Sequence, residues 1–309
     1  MKMSLLGEER GQGAPRGPGG PPYFGVLRAC IAGMLLVFSA QAQPMRIVST
    51  FPSVTETLFA LGAGDRVVGV SNYCRYPAAA LSLPKVGTYT KPDAEKIALL
   101  RPDLVFIEKS AANLADRLDA LGIKHAEIRI GSLAEVYSMI HDIGRAVGLP
   151  DRAERLNGEI RTRLDAFRAQ PGGGNRPKVL IVVGRTPGLL TNLTAAGPGP
   201  YIGELLEIAG GSNVLTGTSM AYPRISLETV VRLNPDVILD ASNMGDASAD
   251  TSLREAHLRE PWLAHRELAA VQNGMVFGLT SESLVTPGPR VVDAVELIRQ
   301  ALRRKDHRP

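Results

Sequence analysis

The sequence predicts an α/β fold made of two similar lobes joined by one long helix. Three observations carry that expectation. A helix–turn–strand box occurs twice, at residues 93–107 and 226–240. The longest uninterrupted helical pattern, residues 151–170, lies between the two copies and is followed by a Gly/Pro-rich break at 171–177. Each half also opens on a short apolar run, 46–51 in the first and 178–183 in the second, of the kind that forms a buried parallel strand. A repeat of this length signals one structural unit used twice.

In both boxes apolar residues at i and i+3 mark a short helix: Ile97 and Leu100, then Val230 and Leu233. Pro102 and Pro235 end it, because proline lacks an N–H and pushes its predecessor out of the α region. The apolar residues after Asp103 and Asp236 read as strands.

The first lobe is expected over 46–148. After its opening strand, Ser53 and Glu56 have the spacing of a capping box, with Leu58 and Leu61 on the inner face of the helix that follows. Gly62 and Gly64 end that helix, and 67–70 is a second strand. Residues 71–77 form a polar and aromatic loop at its C-terminal end, the end at which open α/β sheets bind ligands. Beyond the first box the pattern predicts a helix at 114–121, a strand at 126–130 and a helix at 132–147. In 151–170, Ala153, Leu156, Ile160, Leu164 and Phe167 recur at helical spacing and make the connecting helix.

The second lobe is expected over 176–302. Glu204 and the residues after it parallel Glu56 and its successors. A strand at 275–279, a Gly/Pro-rich loop at 280–289 and a helix at 290–302 with Val292, Val295, Ile298 and Leu302 inward complete it. Residues 303–309 read as a solvated basic tail. Tyr89 and Tyr222 each stand six residues before the glutamate of their box, Glu95 or Glu228. Two lobes on one connecting helix place loops from both across a single cleft, a common kind of ligand site.

The 309 residues suffice for two domains, and 44% hydrophobic with 21% charged residues describes a globular chain. The net charge of +4 falls to +2 once the first 42 residues are set aside, since they hold Lys2, Arg10, Arg16 and Arg28 against Glu8 and Glu9. Charge therefore gives no reason to expect nucleic acid or a membrane surface as partner. Residues 1–42 read as an export signal: Arg28 precedes an apolar run at 31–38, and Ala40-Gln41-Ala42 has the small-x-small form of a cleavage site. The run is too short for an ordinary transmembrane helix. An uncleaved anchor is the alternative. Cys30 precedes the apolar run, which argues against lipoprotein cleavage there, and after export Cys74 is the one cysteine left. A lone cysteine is more often an inert buried residue than a redox or metal thiol.

On residues 51–56, 68–77, the two boxes and 287–290, the chain resembles the periplasmic substrate-binding proteins of metal-chelate importers, which serve vitamin B12, iron-siderophore and haem uptake. The resemblance spans residues 46–302. It implies two Rossmann-like lobes on a rigid backbone helix, a periplasmic location, and delivery of the ligand to a permease dimer with its ATPase subunits. Within that group the chain looks most like the vitamin B12-binding branch. Tyr73 falls where that branch has a cleft tyrosine, and Tyr89 and Tyr222 fall where it has tryptophans against the corrin. Leu190 falls near a cleft phenylalanine, and Glu282 near an acidic ligand contact. Glu95 and Glu228 match the paired glutamates that dock onto permease arginines. The implied ligand is a cobalamin-type corrinoid, with a ferric siderophore or haem as the alternative, and the protein is expected to be a monomer.

The residues themselves allow more than one reading. Tyr73, Tyr76, Tyr89 and Tyr222 would supply flat, amphipathic walls for a macrocycle or catecholate. A tyrosine can also ligate iron, and Tyr76 beside its proline fits plain turn packing. Glu95 and Glu228 are either solvated acids or a two-point electrostatic clamp that fixes register on a partner. The histidines show no metal-ligand spacing. No Gly-x-Gly-x-x-Gly follows the first strand, and there is no Walker loop or nucleophile elbow, so no enzyme activity and no catalytic cofactor is expected. Ser53 at a helix start could hold an anion or simply cap. An enzyme on a nitrogenase-like two-lobe scaffold is the reading from a different class; it would need cluster cysteines.

Overall fold

The architecture follows from a carboxylate used the same way in each half. In the computed structural model, which describes residues 46–109, 113–170, 176–242 and 250–303, the aspartate of each box anchors the first strand of its own sheet. Asp103 Oδ2 accepts the Arg46 N–H at 3.0 Å, and Asp236 Oδ2 accepts the Lys178 N–H at 2.7 Å. Each box strand then runs parallel beside that first strand, Ile47 opposite Leu104 and Val179 opposite Val237. Both box helices turn out of the helix through a residue with positive φ, Arg101 (46°) and Asn234 (43°). Side chains cap both starts: Asp93 accepts the Glu95 and Lys96 N–H groups, and Ser226 accepts that of Thr229.

The first sheet is all parallel. Its chain order is β1 (Ile47–Ser49), α1 (Pro52–Ala60), β2 (Val67–Val70), α2 (Ala94–Leu99), β3 (Leu104–Glu108), α3 (Leu114–Ala120), β4 (His125–Ile128) and α4 (Leu133–Ala146), with strand order β2-β1-β3-β4. Strands β1, β2 and β3 are largely buried, which is why they read as apolar runs, whereas the edge strand β4 is mostly half-buried or exposed. Helix α5 (Pro150–Ala169) follows and is the long connector. Its stripe of Ala153, Ile160 and Leu164 is buried, with Leu156 and Phe167 half-buried at its margin.

The second sheet runs β5 (Lys178–Gly184), β6 (Leu193–Ala195), α6 (Tyr201–Ala209), β7 (Ser212–Asn213), β8 (Arg224–Ile225), α7 (Leu227–Leu233), β9 (Val237–Asp240), α8 (Thr251–Leu263), α9 (Ala269–Gln272), β10 (Val276–Gly278) and α10 (Val291–Arg303). Its order is β10-β9-β5-β6-β8, with β7 paired to β5. Strands β10, β9 and β5 are parallel, while β6 and β8 are antiparallel additions. The expected export signal, the 171–175 part of the linker and the tail beyond Arg303 lie outside the described residues. Among the described residues no helix is long and apolar enough to cross a membrane.

The start of α1 corrects the sequence reading. Ser53 and Glu56 do not form a capping box: Phe51 is the N-cap with no side-chain bond, and Pro52 opens the helix. Proline suits that position because its missing N–H would be unbonded there anyway. Both side chains turn inward instead. Ser53 is buried with its hydroxyl unbonded to protein, and Glu56 reaches across to the second lobe. Its carboxylate takes two hydrogen bonds from Arg290, one from Nε at 2.9 Å. Burial pushes the Glu56 carboxyl up, and the hydrogen bonds and charge of Arg290 oppose that shift. The Arg290 guanidinium also lies 4.0 Å from the Tyr76 ring centroid. The parallel glutamate, Glu204, crosses in the other direction. Its Oε1 accepts the N–H of Leu133, the first residue of α4, at 2.7 Å, while the Tyr201 N–H at the start of α6 donates to Gly131 O at 2.7 Å.

Apolar packing continues through this junction. One core cluster includes Val54, Leu58, Ile140 and Leu164 together with Ile202, Leu205, Val295 and Ile298. Arg163 pairs with Asp293 at 3.5 Å, and the Arg299 guanidinium sits over Phe167, tying α10 to α5.

Removing one partner of a buried ion pair strands the other charge. Arg290→Ala is therefore expected to lower the unfolding free energy by about 3–5 kcal/mol, and a paired apolar replacement of Glu56 and Arg290 by much less. Urea unfolding of the three variants checks this; equal costs for single and double variants would show that the pair is not coupled. Asp103→Ala and Asp236→Ala should each cost about 1 kcal/mol in the same assay, in line with one hydrogen bond at a strand end. Being in different lobes with no shared partner, they should add.

Candidate ligand-binding cleft

The carboxyl ends of the parallel strands from both sheets face one cavity of about 710 Å³. Phe51 and Pro52 follow β1, Tyr73 and Arg75 follow β2, and Glu108 ends β3. From the other sheet come Val183 at the end of β5, Ser242 after β9, and Glu282 with Thr286 after β10. This is where open parallel sheets bind ligands, since the loops there diverge. The floor is the helix junction described above, with Tyr201 and Ile202 at the start of α6.

Four of the five residues expected at a ligand come together here: Tyr73, Tyr89, Tyr222 and Glu282. The tyrosines are 36%, 40% and 41% exposed, so each keeps ring surface open to the cavity. On the first wall Tyr89 packs against Tyr73 (centroids 5.4 Å) and edge-on against Phe51 (5.2 Å). These aromatic contacts hold the rings without covering them. Tyr222 comes from the second lobe, just before β8, and burial pushes its phenol up. Tyr201 is fully inside, its hydroxyl donating to Leu284 O at 3.1 Å. Glu282 lies 3.3 Å from Arg75, an ion pair between the loops after β10 and β2.

Leu190 is not among the cavity's lining residues. It is half-buried and packs on the second lobe's own core with Leu180, Val182 and Leu193. The loop between β5 and β6 folds back on the sheet: the Leu189 N–H donates to Thr186 O, and Arg185 donates to Leu189 O. Tyr76 also stays off the cavity wall, since it stacks with Arg290. Glu95 and Glu228 occupy the second position of α2 and α7, are exposed, and do not line the cavity. Acids in a first helical turn are favoured by the helix dipole. Each box thus carries a glutamate on the outer surface and is preceded by a tyrosine at the cavity.

Cys74 is buried behind the first wall, its sulfur 3.2 Å from Ser71 Oγ and 3.1 Å from Thr55 Oγ1, and burial pushes its thiol up. Among the described residues no group of His, Cys, Asp and Glu is arranged to hold a metal ion.

Residues 47–283 match the family described as periplasmic binding protein. The chain belongs to the periplasmic binding protein family. A vitamin B12-binding protein of Vibrio cholerae is 30% identical over 257 residues, which cover 82% of this chain and 87% of the relative. The crystal structure of a periplasmic vitamin B12-binding protein of Vibrio cholerae superposes with a TM-score of 0.69 at 27% identity, covering 86% of this chain and 99% of that one. A periplasmic haem-binding protein from Pseudomonas aeruginosa is similar to the same degree: TM-score 0.71, 26% identity, 84% and 92% covered.

Within this periplasmic binding protein fold, sequence reasoning passed over several cleft residues. Phe51, Arg75 and Glu108 each sit at or just beyond the end of a first-sheet strand, and that position is a signal readable from the strand pattern. Ser242 stands just beyond the end of β9 in the same way. It is held by Asp240, whose buried carboxylate also takes hydrogen bonds from Arg185 Nε (2.8 Å) and Trp262 Nε1 (2.7 Å). Those partners come from three separate elements.

Proposed function

We propose that this protein is the periplasmic solute-binding component of an ABC importer and that it takes a cobalamin-type corrinoid between its lobes. The observation that carries the reading is the cleft itself: half-exposed tyrosines from both lobes face each other across a space of very little net charge. Among the described residues its lining holds one cation, Arg75, and two carboxylates, Glu108 and Glu282. A flat, amide-fringed macrocycle gains from aromatic faces on both sides and needs few charges. A ferric tris-catecholate, with several negative charges, would meet two carboxylates and a single cation. The vitamin B12-binding relatives point the same way. The haem-binding neighbours make haem the reading to test against.

Export through a signal peptide cleaved after Ala42 belongs to the same proposal, as does docking on a permease dimer. Glu95 and Glu228 are exposed at equivalent places on the two lobes. That arrangement suits a partner with two-fold pseudo-symmetry, where rim charges set register and on-rate.

The mature protein should bind cyanocobalamin in a one-to-one complex by calorimetry. Tyr89→Ala and Tyr222→Ala should each weaken it by roughly tenfold or more, as aromatic anchors do. Absence of cobalamin binding together with binding of a ferric chelate, or a Soret shift on adding haemin, would move the ligand to that class. Reversing both docking charges, Glu95→Arg with Glu228→Arg, should leave corrinoid affinity unchanged and abolish uptake in cells. Uptake that survives the double reversal would rule out the docking role.

A further inference from the structure

Among the described residues lining the cleft, Arg75 is the one with a basic side chain. It comes from the loop after β2, and its partner Glu282 from the loop after β10, so their Nη1–Oε1 contact of 3.3 Å joins the two walls. Both side chains keep 27% of their surface in solvent. An ion pair this wet adds little to stability, because water screens it and two long side chains must be held still. The Glu56–Arg290 pair at the junction differs at its carboxylate, which is buried and takes two hydrogen bonds from the guanidinium. Of the two interlobe pairs, the one at Arg75 is therefore the one that can exchange. A guanidinium offers five N–H donors in a planar fork whose geometry matches two oxygens of a phosphate. It stands in the same loop as Tyr73, whose ring forms part of the aromatic wall.

We infer that Arg75 is a specificity-determining residue of this cleft. It selects macrocycles that carry one phosphodiester-type anion at their edge, and Glu282 is the internal anion that it exchanges for the ligand's. This deepens the corrinoid reading and rests on it. A ligand without an anion leaves the Arg75–Glu282 pair in place and gains nothing from it. A ligand with several anions satisfies Arg75 once and then meets the carboxylates of Glu108 and the displaced Glu282. Glu282 accordingly acts through Arg75 rather than by contact with the ligand.

Two corrinoids separate these roles. Cyanocobalamin carries a phosphodiester in its nucleotide loop, and dicyanocobinamide lacks that loop. Both are titrated calorimetrically into wild-type protein, Arg75→Gln and Glu282→Gln. Arg75→Gln is expected to weaken cyanocobalamin about 10- to 100-fold, the range of one charge-assisted hydrogen bond, while cobinamide changes by less than about threefold and so reports an intact fold. Glu282→Gln is expected to tighten cyanocobalamin and leave cobinamide unchanged. Equal losses for both ligands in Arg75→Gln, or no loss for either, would overturn the role of Arg75 and leave the corrinoid reading standing. Weaker cyanocobalamin binding by Glu282→Gln would overturn the exchange and make Glu282 a direct contact. Wild-type protein that binds neither corrinoid would remove the corrinoid reading and this inference together.

Discussion

The two halves of this chain are held to one another by a pair of helix starts that satisfy each other across the lobe junction. Glu56 near the start of α1 binds Arg290, which immediately precedes α10, and Glu204 in the first turns of α6 binds the open N–H of Leu133 at the start of α4. The Tyr201 N–H, at the start of α6, returns a bond to Gly131 O. The first N–H groups of a helix have no intrahelical partner. At a buried junction water cannot supply one, so each lobe supplies it for the other. An apolar core shared by α1, α4, α5, α6 and α10 closes the same junction.

That constraint shapes the cleft above it. With the floor joined by hydrogen bonds, an ion pair and continuous packing, the strand ends of the two sheets face each other across one cavity. The strand-end loops that line it carry tyrosines and almost no net charge. The contrast between the two interlobe ion pairs is one of burial. At the floor, the Glu56 carboxylate is held by two hydrogen bonds from Arg290 and, being buried, does not have water as an alternative. At the mouth, Arg75 and Glu282 both do, and such a pair contributes specificity more readily than stability.

The repeated box shows how much of this was open to sequence reasoning. Its helix, its proline stop and its strand were legible because each depends on near neighbours in the chain. Pro102, Pro235, Ile97 and Val230 do in the fold what their types and spacing predict. The connecting helix was legible for the same reason. The role of the box aspartates in anchoring β1 and β5 was not, since their partners lie more than fifty residues away.

Ser53 and Glu56 had the spacing of a capping box, but local spacing lost to a tertiary partner: Arg290 is 234 residues further along the chain. The family resemblance put Leu190 near a cleft position, yet the β5–β6 loop folds back and packs it, half-buried, against its own sheet. Arg75 was visible only as one residue of an aromatic loop until the second lobe brought Glu282 to it. The sequence alone determined the fold class, the duplication, the aromatic loops and the outward glutamates, because period-2 and period-3.6 patterns and turn residues act over a few positions. Tertiary structure decided which charges pair, which aromatics face the cavity and how the lobes are locked, because each depends on elements that meet only after both sheets have formed.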